Sequence, residues 1–205
     1  MTELLYPMLT ASRLRMGTDG IGITTLVTGA GCPLNCRWCI NKRLLREAPV
    51  KHVTAAELLE QVKVDDLYFR ATGGGITFGG GESLLHAAFI RRFREICPAE
   101  WRVRVETSLA VPAEQVKTVL DAVDEFIVDC KDMDPEIYRS YTGKDNSLMT
   151  ANLRILFDAA GPERITVRVP LIPEYNTKED QARSAVILRS MGFEKLDLFD
   201  YVIRP

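Results

Sequence analysis

No charge of one sign dominates this chain, in which 26 basic side chains stand against 28 acidic ones for a formal charge of −2. A protein that grips nucleic acid or an anionic membrane by charge needs a basic surplus, so neither partner is expected. No apolar run approaches the ~20 residues that a membrane span requires. The N-terminal stretch MTELLYPMLTASRLRMG lacks the basic start and unbroken apolar segment of a secretory signal, which leaves the cytoplasm as the expected location. Histidine is scarce: His52 and His86 stand alone, His86 within a helical pattern, where surface or core roles are the ordinary expectation. An even, spread set of cysteines is missing too, and with it the usual framework of a small disulfide-held secreted domain.

What is present is an ordinary globular composition, 46% hydrophobic and 26% charged over 205 residues. That length suits one well-buried domain, since single α/β barrels commonly run to about 200–250 residues. The cysteines number five, and three of them, Cys32, Cys36 and Cys39, fall within eight residues. An odd count with local crowding points to metal-binding or catalytic sulfur in a reducing compartment. Cys97 and Cys130 stand apart and read as core residues, at a helix end and against a helix.

Hydrophobic patterning alternates between strand and helix along the whole chain. IGITTLV (21–27) reads as a strand that runs into the cysteine loop. Thr54 caps a helix through AAELLEQV, with Glu57 completing a capping box. GITFGG (75–80), WRVRVETS, EFIVDCKD, ITVRVPLIP and KLDLFDYV read as further strands, separated by amphipathic helices. About six β/α units with no linker between them imply one domain: a parallel sheet flanked by helices, either open or curled into a partial barrel. Cys32–Cys39, Gly79–Glu82, Glu106–Ser108, Asp129–Asp132 and Arg168–Pro173 all fall at C-terminal strand ends. In a parallel barrel, that edge is where active sites form.

GCPLNCRWCIN spaces its thiols C-x3-C-x2-C. Three sulfurs on a tight loop suit three irons of a 4Fe-4S cluster, leaving the fourth iron open to a small molecule. The alternatives are a zinc site completed by a distant ligand and a Cys36–Cys39 redox pair. Neither is supported by spacing elsewhere in the chain. Gly80 and Gly81 permit close backbone approach, and Glu82 is an acceptor suited to an ammonium group. Asp129 and Lys131, two apart on a strand, share one face while Cys130 takes the other. Arg168 alternates with apolar neighbours and, if it points inward, needs an anionic partner.

The cysteine spacing resembles the signature of the radical S-adenosylmethionine (radical SAM) enzymes. ITFGGGESLL, VDCKDMDPEIYRSYTG and VRVPLIPEYN are similar to segments of their glycyl-radical-enzyme activase branch, which includes the pyruvate formate-lyase activating enzymes. The likeness runs from about Gly20 to the C-terminus. It implies a partial (β/α)6 barrel over residues 1–205, with an N-terminal extension of about 1–19. It further implies reductive cleavage of S-adenosylmethionine at the 4Fe-4S cluster and abstraction of hydrogen from a glycine of a partner glycyl radical enzyme. A flavodoxin- or ferredoxin-type protein would be the electron donor.

By the same resemblance, Gly80, Gly81 and Glu82 meet the methionyl amino group, and Lys131 meets the carboxylate. Asp129, Glu106 and Thr107 form a monovalent-cation site. Arg168 faces cofactor or substrate, and Trp38 packs near the adenine or shields the cluster. Two features depart from the family. Residues 40–79 contain no further cysteine, which implies a single cluster, and Val202 stands about where relatives carry a late histidine. The competing readings are a radical SAM enzyme acting on another peptide or a small molecule, and a non-catalytic iron–sulfur module.

Overall fold

The computed structural model describes residues 3–203. Eight strands form one sheet: β1 (Tyr6–Met16), β2 (Ile23–Gly29), β3 (Lys51–Val53), β4 (Gly75–Gly80), β5 (Arg102–Thr107), β6 (Glu125–Asp129), β7 (Ile165–Leu171) and β8 (Leu196–Asp200). Their order is β3-β1-β2-β4-β5-β6-β7-β8. From β2 to β8 every neighbouring pair is parallel, giving the six parallel strands expected of a partial barrel. The two edge strands do not pair with each other, so the sheet stays open.

The sequence pattern does not mark β1, β3 or the helices over Lys42–Glu47 and Asp66–Thr72, and β1 is the longest of these. The stretch placed in an N-terminal extension contributes β1, which runs antiparallel to β2 from Met8↔Gly29 to Met16↔Ile23. Tyr6, Pro7 and Met8 then pair with β3 on the other side. Polar residues such as Thr10, Ser12 and Arg15 interrupt the alternation of β1, which hides it from a search for apolar periodicity. Arg13 fixes the strand from outside: its Nε and Nη2 donate to both carboxylate oxygens of Asp65, whose side chain is wholly buried.

The helices are α1 (Lys42–Glu47), α2 (Ala55–Val62), α3 (Asp66–Thr72), α4 (Ala87–Ile96), α5 (Ala113–Val119), α6 (Pro135–Thr142), α7 (Ser147–Ala160) and α8 (Lys178–Ser190). The capping box at Thr54 and Glu57 opens α2 as the sequence implies. α6 is delimited with equal clarity. The Asp134 side chain accepts from the backbone N–H groups of Glu136 and Ile137, Pro135 occupies the first turn, and Gly143 closes the helix at φ +77°. The core joins strand residues Val27, Phe78, Val105, Phe126 and Val167 to helix residues Phe89, Phe93, Val116, Leu153 and Leu188, all buried. Each contributes about 1.5–3 kcal/mol relative to exposure. The pleat that turns these strand residues outward to the helices turns their neighbours, Glu106 and Arg168 among them, to the opposite face.

Candidate active site

The cysteine loop leaves β2 at the C-terminal edge of the sheet and is fixed mainly by backbone contacts. The Asn35 and Arg37 N–H groups, on either side of Cys36, donate to the carbonyls of Thr142 and Tyr141 at the end of α6. The Ala30 N–H donates to Pro7 in β1, and His86 Nε2 lies 3.0 Å from the Ala30 carbonyl. Asn41 Nδ2 donates to the Gly80 carbonyl at 2.9 Å, tying the loop to β4. Trp38 Nε1 donates to the Pro173 carbonyl after β7, and the Tyr201 hydroxyl donates to the Trp38 carbonyl. The loop thus touches the ends of five elements.

Cys32, Cys36 and Cys39 are all free thiols and together line a cavity of about 240 Å3. At the ~30 Å3 share of a liquid water, that is space for several atoms rather than for one ion. Among the described residues, no three His, Cys, Asp or Glu side chains are gathered as a single metal ion would need. Burial pushes the Cys36 thiol up to about 11, opposed by the Lys131 ammonium, and burial also raises Cys32. Three soft sulfur donors around a shared cavity fit an iron–sulfur cluster, whose sulfurs each bind a different iron. Cys97 and Cys130 lie in the core, far less accessible than the loop thiols.

The glycine run after β4 has a reason internal to the protein. A Cβ on Gly81 would stand 2.2 Å from the Gly31 carbonyl oxygen, and one on Gly80 would stand 2.0 Å from Thr28 Cγ2. Gly80 also holds φ +89°, which side-chain-bearing residues avoid. These glycines therefore let the cysteine loop itself approach β4, and the Glu82 N–H seals the contact by donating to Gly31. The Glu82 carboxylate is held by donors within the chain. It is buried and accepts from the Thr107 hydroxyl at 2.6 Å, the Ser108 hydroxyl at 2.6 Å, the Ser108 N–H at 2.9 Å and the Leu84 N–H at 3.1 Å. About four acceptor positions exist on a carboxylate, and the chain supplies a donor for each. Burial still raises its pKa against these donors.

The ends of β5, β6 and β7 bring four charged groups to the same edge. Lys131 lies just past the end of β6 rather than on the strand, yet its Nζ remains 3.3 Å from Asp129 Oδ2. Burial works to lower its pKa, but the charges of Asp129, Cys36 and Tyr201 outweigh this, and it rises. Arg168 pairs with Glu106 at 2.8 Å, donates to the Thr18 carbonyl in the β1–β2 turn, and sits opposite Asp129 in register. Burial raises the Glu106 carboxyl against the Arg168 charge. The anion that Arg168 needs is therefore supplied by the chain. Each of the three residues expected to form a monovalent-cation site has a partner in the chain. Asp129 faces Lys131, Glu106 faces Arg168, and Thr107 is turned to Glu82.

Several residues that shape this edge carry no sequence signal. Asn41, His86 and Tyr201 act through single hydrogen bonds, and Ser108 through two, between elements distant in the chain. Only the strand-end position of Ser108, and the proximity of Asn41 to the cysteines, could have marked them.

An open, mostly parallel sheet with a three-cysteine loop on its C-terminal edge is the architecture of a partial radical SAM barrel. The family described as the Radical SAM superfamily matches residues 26–184, more than three quarters of the chain, and the protein belongs to that superfamily. It is 37% identical over 127 residues to the (2S)-3-sulfopropanediol dehydratase activating enzyme of Klebsiella oxytoca, which covers 62% of this chain and 39% of that protein. It is 28% identical to the pyruvate formate-lyase 2-activating enzyme of Escherichia coli (strain K12), over 89% of this chain and 73% of that one. Among solved structures, a radical SAM methyltransferase from Sphaerobacter thermophilus superposes with a TM-score of 0.63 at 18% identity, over 98% of this chain and 68% of that one. Among the described residues, no helix is long and apolar enough to cross a membrane.

Proposed function

We propose that this chain binds a 4Fe-4S cluster through Cys32, Cys36 and Cys39, holds S-adenosylmethionine against it, and serves as an activating enzyme for a glycyl radical enzyme. The observation that carries the reading is the convergence of the three free thiols with the ends of β4, β6 and β7 on one sheet edge. When bound, a cluster reduced by an outside donor would supply one electron for reductive cleavage of the sulfonium, the chemistry that yields methionine and removes a hydrogen atom from substrate as 5′-deoxyadenosine.

The chain's own residues bind and orient. Lys131, a buried cation beside the cysteine loop, is matched to the methionyl carboxylate, and Asp129 keeps it charged. Carbonyls at Gly80 and Gly81 are the acceptors left for the amino group, because the Glu82 side chain is spent on Thr107, Ser108 and Leu84. Glu82 then acts as a positioning residue that locks the ends of β4 and β5 together. Trp38, spanning the loop and the segment after β7, screens the cavity from solvent. Arg168 and Glu106 form the wall that faces substrate.

The relatives named as activating enzymes support a glycyl radical partner of the pyruvate formate-lyase kind. A flavodoxin- or ferredoxin-type electron donor is proposed with it. The test uses a pyruvate formate-lyase-type protein labelled with Cα-deuterated glycine, mixed anaerobically with reduced, cluster-loaded protein and S-adenosylmethionine. Deuterium in the 5′-deoxyadenosine and a protein-centred radical in electron paramagnetic resonance are expected. Unlabelled 5′-deoxyadenosine formed during turnover of a free small molecule would give the protein to the other radical SAM reading.

A further inference from the structure

Helix α6 presents two buried phenols to the cysteine loop. Tyr138 and Tyr141 are three residues apart, hence on one face, and both are essentially inaccessible to solvent. Among the described residues, neither hydroxyl has a hydrogen-bond partner. Tyr141 packs edge-on against Tyr175 and Tyr201, with its hydroxyl near that of Tyr201 but without a bond of proper geometry. A buried O–H left unpaired costs about 1–3 kcal/mol. Two of them on a well-capped helix point to an acceptor that arrives with a ligand.

The surroundings name that acceptor. The loop lies on the last turn of α6, held by the Asn35 and Arg37 bonds on either side of Cys36. Cys36, Cys130, Glu82 and Cys32 lie within electrostatic range of the Tyr138 hydroxyl, and Tyr201, Cys36 and Cys39 within range of the Tyr141 hydroxyl. Glu82 is already saturated, and Cys130 is a buried thiol and a weak acceptor. Burial, reinforced by these neighbours, pushes both phenols up, so they remain donors throughout the physiological range.

We propose that Tyr138 and Tyr141 donate hydrogen bonds to the cysteine sulfurs of the bound cluster and thereby raise its reduction potential. The inference rests on the cluster assigned above. A hydrogen bond to a coordinating sulfur withdraws negative charge and favours the reduced state, and such bonds are among the levers that set cluster potentials. Each phenol is thus a tuning residue for the electron-accepting step.

The test is a redox titration, followed by electron paramagnetic resonance, of anaerobically reconstituted wild type, Tyr138→Phe and Tyr141→Phe, with the exposed Tyr68→Phe as control. Both loop-facing variants should keep the iron content of wild type. At a fixed potential their reduced-to-oxidised ratio should fall by roughly tenfold, the worth of one such bond, which is about 59 mV more negative for one electron. Apo-protein stability should be unchanged or slightly higher in both, because no bond within the chain is lost. A cluster-loaded Tyr138→Phe and Tyr141→Phe with the wild-type midpoint would overturn the inference alone. Destabilised apo variants would overturn it too, by showing that the hydroxyls have partners in the chain. A wild type that takes up no iron would bring down the cluster reading and this inference with it.

Discussion

Glu82 and Lys131 lie on the same edge of the sheet and carry opposite charges, yet their substitution should have different consequences. Glu82 accepts from two hydroxyls and two backbone N–H groups in a buried site. Removing it strands all four donors, so Glu82→Ala should cost about 2–4 kcal/mol of apo-protein stability, in the range of broken buried networks. Denaturant unfolding measures this directly. Lys131 has one anionic partner in the chain, Asp129, which retains access to water. Lys131→Ala should leave folding nearly intact and weaken S-adenosylmethionine binding by roughly 10- to 150-fold, the worth of one charge-assisted hydrogen bond. Equilibrium dialysis on the anaerobically reconstituted protein reads that loss. A Glu82→Ala variant with undiminished stability but lost cofactor affinity would restore the direct contact that the resemblance implied.

At the level of elements, one ion pair ties β1 to the start of α3. Arg13 holds Asp65 with two hydrogen bonds, and Thr25 adds a third to the same carboxylate. The Arg13 hydrogen bond, followed by the Thr25 bond, holds the Asp65 pKa below its usual value against burial. The folded state therefore favours the ionised carboxylate, and its contribution is complete above the unfolded pKa of about 4. It is lost as the pH falls through the lower folded pKa. Asp65→Asn should cost about 1–2 kcal/mol at neutral pH, reduced because Arg13 is half exposed. The gap to wild type should close below about pH 4, and urea unfolding at pH 7 and pH 3 would check it. A gap that persists at low pH would mean that shape, not charge, matters there.

The elements differed in how far the sequence disclosed them. The parallel strands and the Thr54 cap were legible because apolar period and capping chemistry are local. β1 was not, since its partners lie in β2 and β3 and its own pattern is broken by polar residues. The three cysteines were legible from spacing alone. The partners of Arg168 and Glu82 were not, because each bond spans strands whose register no local pattern records. The approach of the Gly31 carbonyl to Gly81 was not legible either, because it joins loops distant in the chain.

For the molecule as a whole, an open sheet and a loop anchored to the ends of several elements form one edge. The account stands or falls on whether this edge cleaves S-adenosylmethionine. The direct measurement loads the protein with iron and sulfide without oxygen, adds dithionite and S-adenosylmethionine, and quantifies 5′-deoxyadenosine and methionine by mass spectrometry. Equal amounts of both products from wild type, and none from Cys36→Ala, are the predicted result. A wild type that carries about four irons per chain, is fully reduced, and yet forms no 5′-deoxyadenosine would contradict it.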